Sequence, residues 1–334
     1  PMSAELAVVA IGNALVDVLS HESDGFVAEQ SMVKGSMELI DTERAESLYA
    51  VMNPAVEVSG GSAANSMAGV ASFGGRAAFI GRVNRDQLGT VYTHDLRAAG
   101  VRFDTPPASD GSPSGRCLIV VTPDGERTMN TYLGASAELG PADVDPHLIA
   151  SAEYTFLEGF LWDGPEAKDA FRFASKLAHE AGRKVALSLS DGFVVDRHRD
   201  TFLGLVEHDV DLLFANESEI CSLYEAPDFD TALQHVSRHC EIAALTRGAK
   251  GSVLIRGNEV HVVDAHPVPG GRVVDTTGAG DLYAAGVLFG ITEGFDLGLC
   301  GRLGSLAASE VISHLGARPE TNLAERAGGD LLSG

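Results

Sequence analysis

The run Asp275–Asp281, Asp-Thr-Thr-Gly-Ala-Gly-Asp, combines groups that could bind and transfer a phosphoryl group. Because Gly278 and Gly280 lack a Cβ, the N–H groups of Gly278, Ala279 and Gly280 can converge on an anion at the start of a predicted helix. The carboxylate of Asp281, in the first turn, would point into this pocket and could accept a proton from an attacking hydroxyl. The alternative is a tight helix start in which Asp281 only stabilises the helix dipole.

A second glycine cluster, Gly60-Gly61-Ser62-Ala63-Ala64-Asn65, precedes a stretch rich in small residues. Paired glycines at Gly60 and Gly61 allow a ligand to approach the backbone, and the amide of Asn65 could bond sugar hydroxyls. The alternative is a plain helix N-terminus capped by Ser62.

A carboxylate follows the first predicted strand, Leu6–Ile11, in the run Gly12-Asn13-Ala14-Leu15-Val16-Asp17. Open α/β sheets bind ligands just beyond the carboxyl ends of their strands. Asp17 could therefore accept bonds from two vicinal hydroxyls at once. A solvated loop aspartate is the alternative.

An amide and a carboxylate, Asn216 and Glu219, follow the apolar run Leu212–Ala215. Three residues apart, they share one helical face and suit hydrated Mg²⁺, which keeps several of its waters. The same spacing is that of a capping box, and both roles can coexist.

A glycine loop, Thr246-Arg247-Gly248-Ala249-Lys250-Gly251, joins two predicted strands. It could wrap the phosphates or ribose of a nucleotide, or it could be an ordinary glycine hairpin. Neither a Walker loop nor a Gly-x-Gly-x-x-Gly fingerprint occurs in the sequence, so neither a Walker-type NTPase nor a dinucleotide enzyme is indicated.

The elements that would position these groups alternate along the chain. Short runs rich in Val, Ile and Leu predict the strands Leu6–Ile11, Ala77–Gly81, Tyr154–Leu157, Lys184–Leu189, Asp211–Phe214 and Ile242–Thr246. Amphipathic stretches predict the helices Ala63–Phe73, Gln87–Ala99, Pro165–Ala181, Arg197–Glu207, Asp230–Cys240, Ala279–Thr292 and Leu297–Ser313. This order favours one α/β domain over residues 1–334: a doubly wound, mostly parallel sheet flanked by helices.

Two stretches interrupt the alternation, at about residues 15–40 and 101–133. Their alternating runs predict a small β-rich subdomain, and strands that project from an α/β core commonly act as a lid. The tail Ala324–Gly334, with its paired glycines, is predicted to be frayed.

Composition limits the partners. The chain has 24 Lys and Arg against 47 Asp and Glu, a net charge of −23, which disfavours nucleic acid and anionic membranes. Four cysteines without a Cys-x-x-Cys pair suit a reducing compartment, and no signal sequence or apolar run of membrane-spanning length is present, so a cytoplasmic protein is predicted.

Together these motifs resemble the ribokinase-like, or phosphofructokinase-B, carbohydrate and nucleoside kinases over about residues 5–320. The Asp275–Asp281 run resembles the family's second signature, and Gly60–Asn65 with Phe79–Gly89 resembles the first. Asn84 departs from the glycine of many members. The resemblance implies a ribokinase-like fold with ATP and Mg²⁺ as cofactors. The sequence is compatible with a monomer and with a homodimer formed through the lid strands.

Within the family, Gly12–Asp17 and Gly60–Asn65 are most similar to the adenosine kinases. In the first run the similarity includes Asn13, and in the second run it includes Gly60 and Gly61. The resemblance implies ribose contacts from Asp17 and Asn65, base contacts from Leu15 and Phe160, and a phosphate contact from Arg127. A monovalent-cation site for K⁺, found in part of the family, would match Asp275, Thr277, Val311 and Gly316.

The sequence thus predicts transfer of the ATP γ-phosphate to the 5′-hydroxyl of a ribonucleoside, adenosine first. Alternatives are a ribose or fructose kinase and a kinase for inosine, guanosine or cytidine. A sugar kinase needs no base pocket, so Phe160 and Trp162 would then face the core. A catalytically silent nucleoside-binding protein is an alternative of another class.

Overall fold

The structure, a computed structural model, describes residues 4–332. Its strands are β1 (Leu6–Ile11), β2 (Leu15–His21), β3 (Met37–Leu39), β4 (Val56–Gly60), β5 (Ala77–Ile80), β6 (Arg102–Phe103), β7 (Gly115–Val121), β8 (Arg127–Tyr132), β9 (Ala152–Glu158), β10 (Lys184–Ser188), β11 (Leu212–Asn216), β12 (Ile242–Thr246), β13 (Ser252–Arg256) and β14 (Glu259–Val263). Its α-helices are α1 (Asp24–Glu29), α2 (Thr42–Val51), α3 (Ser62–Ser72), α4 (Gln87–Ala98), α5 (Pro146–Ser151), α6 (Pro165–Glu180), α7 (Gly192–His208), α8 (Glu217–Leu223), α9 (Phe229–Val236), α10 (Ala279–Thr292), α11 (Leu297–Val311) and α12 (Leu323–Asp330).

The main sheet has the order β14-β13-β12-β11-β10-β9-β1-β5-β6 within the described residues. From β12 to β6 neighbouring strands are parallel, and β13 and β14 add an antiparallel edge. Both faces of β1 are buried: Val8 and Ala10 enter one hydrophobic cluster, Val9 and Ile11 the other. Helices cover both faces because the strands are apolar on both sides. The predicted doubly wound α/β fold is confirmed.

The sheet reverses its winding beside β1. Strands that follow β1 in sequence lie on both of its sides, β5 on one and β9 on the other. Ligands of doubly wound sheets bind at the carboxyl edge of such a switch point. α10 reaches that edge packed closely on α11, where a Cβ on Gly286 would lie 2.5 Å from the amide nitrogen of Gly304.

A second sheet has the order β3-β8-β7-β2-β4, and we call it the lid sheet after the role predicted for it. One face, including Val16, Val18 and Leu118, joins the main core together with Leu48 of α2. The other face presents a small apolar cluster of Cys117, Ile119 and Val121, with Leu19 and Met129 packed against it. We call this second face the inner lid face. Asp17 and Arg127 stand on it, because Asp17 pairs with Cys117 and Arg127 with Val121.

The lid sheet differs from the segments expected. β4 lies outside both predicted stretches yet pairs antiparallel with β2, whereas Arg102–Phe103 pairs with β5 in the main sheet. The prediction of a frayed tail from Ala324 is wrong as far as Asp330, because Asn322 caps α12 and Leu323 and Ala327 are buried. Residues 333 and 334 lie outside the described part. No helix within residues 4–332 is both long and apolar enough to cross a membrane.

Candidate active site

Asp281 lies in the first turn of α10, and both of its carboxylate oxygens accept hydrogen bonds. Oδ1 accepts from Oγ of Ser62 (2.6 Å) and Oδ2 from Nδ2 of Asn65 (3.0 Å). Burial raises the pKa of the carboxyl group, while these two bonds and the charge of Arg318 lower it. Asp281 is therefore a carboxylate of increased basicity that is held in one orientation.

The backbone before Asp281 adds donors. Gly278 has φ +78°, which an L-residue adopts at a cost, and a Cβ there would lie 2.8 Å from Ala317. The N–H of Ala279 donates to the carbonyl of Thr276 (3.2 Å). Among the described residues, no backbone acceptor is recorded for the N–H groups of Gly280 and Asp281. Two of the donors of this first turn are thus available to an anion.

Asp17 lies across the site in a pocket made by glycines. A Cβ on Gly60 would lie 2.5 Å from Oδ2 of Asp17. Gly61 has φ +96°, and a Cβ there would lie 2.2 Å from the carbonyl oxygen of Asn13. Burial raises the pKa of Asp17 to about 6, against the lowering charges of Arg318 and Arg127. The predicted residues of the two glycine motifs are therefore brought together.

Two residues of this site were missed in the sequence. Glu158, the last residue of β9, is buried and accepts from the N–H groups of Asn13 (2.9 Å) and Ala63 (2.8 Å); burial raises its pKa to about 7. The argument that selected Asp17, a carboxylate just past a strand, applies equally to Glu158. Arg318 donates to Asn65, and no motif marks it.

The side-chain hydrogen bonds of Asn65 differ from the sugar contacts that the sequence suggested. Its Oδ1 accepts from Nε of Arg318 (2.7 Å) and its Nδ2 donates to Asp281. A sugar hydroxyl could use only the second hydrogen of Nδ2 or the remaining lone pair of Oδ1. The main role of the Asn65 amide in this structure is therefore to donate a hydrogen bond to Asp281.

The groups predicted to bind a monovalent cation surround Asp275. Its Oδ1 accepts from the N–H (3.0 Å) and hydroxyl (2.7 Å) of Thr277, and its Oδ2 from the N–H of Gly316 (3.1 Å). Nη2 of Arg127 lies 2.8 Å from the same Oδ2. Arg127 thus reaches a carboxylate of the core from the lid. Val311 has a hydrocarbon side chain, so only its backbone carbonyl could serve a cation.

Asn216 and Glu219 form the capping box in full. Nδ2 and the N–H of Asn216 donate to the two oxygens of Glu219 (2.8 and 2.9 Å), and Oδ1 of Asn216 accepts from the N–H of Glu219 (2.8 Å). Burial, with a smaller contribution from the charge of Asp191, raises the pKa of Glu219 to about 7. A carboxylate and an amide in one helical turn are ligand types that suit hydrated Mg²⁺.

The glycine loop joins β12 to β13. Gly248 has φ +57° and Gly251 φ +83°, and a Cβ on Gly251 would lie 2.0 Å from the carbonyl oxygen of Val263. Arg247 turns away from the loop, with its guanidinium carbon 4.1 Å from the ring centre of Phe229 and Nη2 3.1 Å from Glu217. It is therefore paired within the protein. Thr246 is the last residue of β12.

A cavity of about 380 Å³ lies beside the contact between Gly251 and Val263. Its lining residues include Val263, His266, Arg302 and Ser305.

The aromatic residues after β9 divide between core and surface. Trp162 is buried against Phe171 and Phe202, and its Nε1 donates to Thr201 (2.9 Å). Phe160 is half-buried and packs on the same core cluster. Trp162 therefore faces the core, as expected for a sugar kinase, whereas Phe160 remains partly accessible.

Comparison with known proteins identifies the family. Residues 29–323 match the pfkB family carbohydrate kinases. The crystal structure of adenosine kinase from Sinorhizobium meliloti is 52% identical, covers 98% of this chain and 99% of its own, and superimposes with a TM-score of 0.90. For a probable sugar kinase from Rhizobium etli CFN 42 the values are 49%, 98%, 98% and 0.90. Adenosine kinase of Saccharomyces cerevisiae is 24% identical over 92% of this chain and 95% of its own length.

The fold and these relatives define an ATP-dependent kinase that phosphorylates an alcohol group of a small molecule. The chain belongs to the pfkB family of carbohydrate kinases, among its nucleoside and sugar kinases.

Proposed function

We propose that this kinase transfers the γ-phosphoryl group of ATP to the 5′-hydroxyl of a ribonucleoside, with adenosine as the first candidate. The observation that supports this best is the grouping of Asp281, oriented by Ser62 and Asn65, with Asp17 on the inner lid face. The grouping provides a base for one hydroxyl, a carboxylate for two others, and an apolar wall beside them.

In this mechanism Asp281 takes the proton of the 5′-hydroxyl as the oxygen attacks the γ-phosphorus. The bond from that phosphorus to the bridging oxygen breaks, and ADP leaves. The N–H groups of Gly280 and Asp281 stabilise the charge on the transferring group. Arg127, now on Asp275, lies within the lid and can exchange that carboxylate for a phosphate.

ATP is proposed to bind along the carboxyl edge of β11 and β12. Asn216 and Glu219 would hold Mg²⁺ through its waters, and the ion neutralises charge on the phosphates when bound. The loop Thr246–Gly251 would contact the nucleotide, with its base in the cavity at His266 and Arg302. The carboxylate of Asp275 accepts two N–H bonds and one O–H bond and lies 2.8 Å from Nη2 of Arg127, so its negative charge is already compensated without K⁺. We therefore leave K⁺ out of the mechanism.

The nature of the inner lid face favours a nucleoside over a free sugar. Leu15 and Asp17 stand on the same face of β2, and Leu19, Cys117 and Ile119 continue that face as apolar surface. A planar base can cover apolar side chains, whereas a sugar bears hydroxyls on every side. We therefore assign this face to the base and Asp17 to the ribose hydroxyls.

Two observations favour a sugar as the second candidate. Trp162 packs in the core, and Glu158 adds another buried carboxylate that could accept sugar hydroxyls. A ribose or fructose kinase would use the same Asp281 and the same ATP site.

A coupled ADP-release assay over a panel of nucleosides and sugars, with and without K⁺, tests the proposal. We expect saturable turnover with adenosine and no requirement for K⁺. Saturation by ribose or fructose at low concentration, with adenosine inert, would make the second candidate correct. ATP consumption that no acceptor stimulates would contradict both.

The cysteines support a cytoplasmic location as part of the proposal. Cys117, Cys221, Cys240 and Cys300 are all free thiols, which suits a reducing compartment.

A further inference from the structure

Arg318 links parts of the site that the sequence motifs do not connect. It lies in the segment between α11 and α12 and is half-buried. Nε donates to Oδ1 of Asn65 on α3 (2.7 Å), and Nη2 donates to Oγ of Ser59 on β4 (3.2 Å). One side chain therefore contacts both α3, whose Asn65 donates to Asp281, and β4 of the lid sheet.

The bond from Arg318 fixes the orientation of the Asn65 amide. A guanidinium can only donate, so the atom of Asn65 that faces it must be the carbonyl oxygen. The amide nitrogen must then face Asp281, 3.0 Å from Oδ2. One of the two donors to the Asp281 carboxylate thus depends on Arg318 for its direction.

Arg318 also brings a positive charge to a pocket of carboxylates. The titratable groups that face it are Asp17 on β2, Tyr92 and Asp95 on α4, and Asp281 on α10. Its charge lowers the pKa of Asp281 and of Asp17, while burial raises both.

The other charges near these two carboxylates do not replace Arg318. Glu158 faces Asp281, and Asp281 raises the pKa of Asp17. Arg127 faces Asp17 but is ion-paired with Asp275 at 2.8 Å. Arg318 instead donates its hydrogen bonds to two neutral groups, Asn65 and Ser59. Within residues 4–332 its positive charge is therefore not neutralised by a direct ion pair.

The segment that presents Arg318 is anchored on both sides. Before it, the N–H of Gly316 donates to Asp275 (3.1 Å); after it, the N–H of Thr321 donates to the buried carboxylate of Glu310 (3.0 Å). These bonds anchor the backbone on both sides of Arg318 to residues outside the lid sheet.

We propose that Arg318 is a positioning residue for phosphoryl transfer: it orients the Asn65 amide toward Asp281 and supplies the fixed positive charge that Asp17 and Asp281 share. The inference rests on the proposed function, in which Asp281 removes the proton of the acceptor hydroxyl.

The test is the pH dependence of acceptor-dependent ADP release by Arg318→Gln and Arg318→Lys, with an acceptor that the wild-type protein phosphorylates. For Arg318→Gln we expect kcat to fall about 10–10²-fold, because the base is misplaced, with the KM for ATP changed less than about 3-fold. The acidic limb of kcat/KM moves to higher pH, since loss of the positive charge raises the pKa of Asp281. Arg318→Lys restores the limb, while its kcat stays low because an ammonium lacks the guanidinium fork.

Two controls separate positioning from folding. Arg76→Gln removes an equal charge just before β5, at the opposite edge of the sheet, and leaves kcat and the pH profile unchanged. In the double variant Asn65→Ala with Arg318→Gln, the losses are less than additive, because both residues act through Asp281.

An unchanged acidic limb in folded Arg318→Gln, or fully additive losses, overturns the proposal. If Arg318→Gln does not fold, wild-type kcat in Arg318→Lys overturns it. Failure of the proposed function is distinct, because the wild-type protein itself then shows no acceptor-dependent ADP release.

Discussion

The core side and the lid side of the site are built differently. On the core side, Asp281 starts a helix whose residues from Leu282 to Leu288 are all buried. On the lid side, Asp17 and Arg127 stand on a sheet whose edge strands expose Leu39 by 59% and Val56 by 64%. The groups proposed for the chemistry are therefore fixed by packing on all sides, whereas those proposed to bind the acceptor stand on a sheet that is buried on one face and exposed at its edge strands.

The largest effect is expected on the core side, at Asp281. Asp281→Asn keeps the shape and the bond from Ser62 but cannot accept the proton, so we expect kcat to fall about 10²–10⁴-fold with the KM for ATP preserved. Steady-state kinetics with circular dichroism measure this. Asp296→Asn is the matched control, because Asp296 only caps α11, and it is expected to retain activity. Near-native turnover by folded Asp281→Asn would contradict the mechanism.

A smaller effect is expected on the lid side, at Asp17. Asp17→Asn loses an ionised acceptor for two hydroxyls, and we expect the KM for the acceptor to rise about 10–10²-fold with kcat less affected. Acceptor titrations at saturating ATP check this. Equal loss of kcat and kcat/KM would instead assign Asp17 to the chemical step.

We also predict that Asp17→Asn makes the folded protein more stable, by an amount that depends on pH. Burial raises the pKa of Asp17 to about 6, so the folded protein binds this proton more tightly than the unfolded chain does. The ionised carboxylate therefore destabilises the folded protein. This destabilisation is complete above about pH 6 and fades as the pH falls towards 3.8, the ordinary pKa that the carboxyl group has in the unfolded chain. Thermal melts of Asp17→Asn should lie above wild type at high pH and approach it at low pH. A constant difference would contradict the assignment.

Gly61 connects β4 of the lid sheet to α3 of the core, so a substitution there tests how the two sides are held together. Gly61→Ala would place a Cβ 2.2 Å from the carbonyl oxygen of Asn13 at φ +96°. We expect a loss of roughly 1–3 kcal/mol of stability and about a tenfold higher KM for the acceptor. Gly74→Ala is the control, since its φ is +92° but no atom lies within 4 Å. It should show strain alone, about 1 kcal/mol, and a normal KM.

The smallest effect is expected at the outer part of the lid. Nζ of Lys34 lies 2.6 Å from both Asp24 and Asp124, and both partners are exposed. We expect Lys34→Met to leave turnover within about twofold, with any loss of thermal stability abolished by salt. A tenfold loss of activity would show that this bridge controls the lid.

The core side could be predicted from the sequence because its signals are local. β1, β12 and α10 are confirmed at their predicted bounds: the two strands are short apolar runs, and α10 is a mainly apolar stretch that follows Gly278 and ends before Glu293 and Gly294. The sequence predicted only part of the lid sheet, because β4 lies outside the two stretches expected to form it. β4 alternates over five residues, three of which have partly or fully exposed side chains, and it becomes a strand only by pairing with β2.

Arg318 illustrates what sequence reasoning could not supply. Its partners, Asn65 and Ser59, are about 250 residues away in sequence, and a single arginine after Gly316 has no distinguishing spacing. Asp281 and Asn65 were both selected from their motifs, but the bond between them follows from the packing of α3 on α10.

The central claim is that Asp281 activates the 5′-hydroxyl of a nucleoside bound under the inner lid face. The most direct measurement compares adenosine with 5′-deoxyadenosine in ADP release by the wild-type protein, with the product identified by ³¹P NMR. We predict saturable release and a 5′-phosphate with adenosine, and no stimulation by 5′-deoxyadenosine. Equal stimulation by both compounds, or phosphate transferred only to free ribose or fructose, would contradict the account.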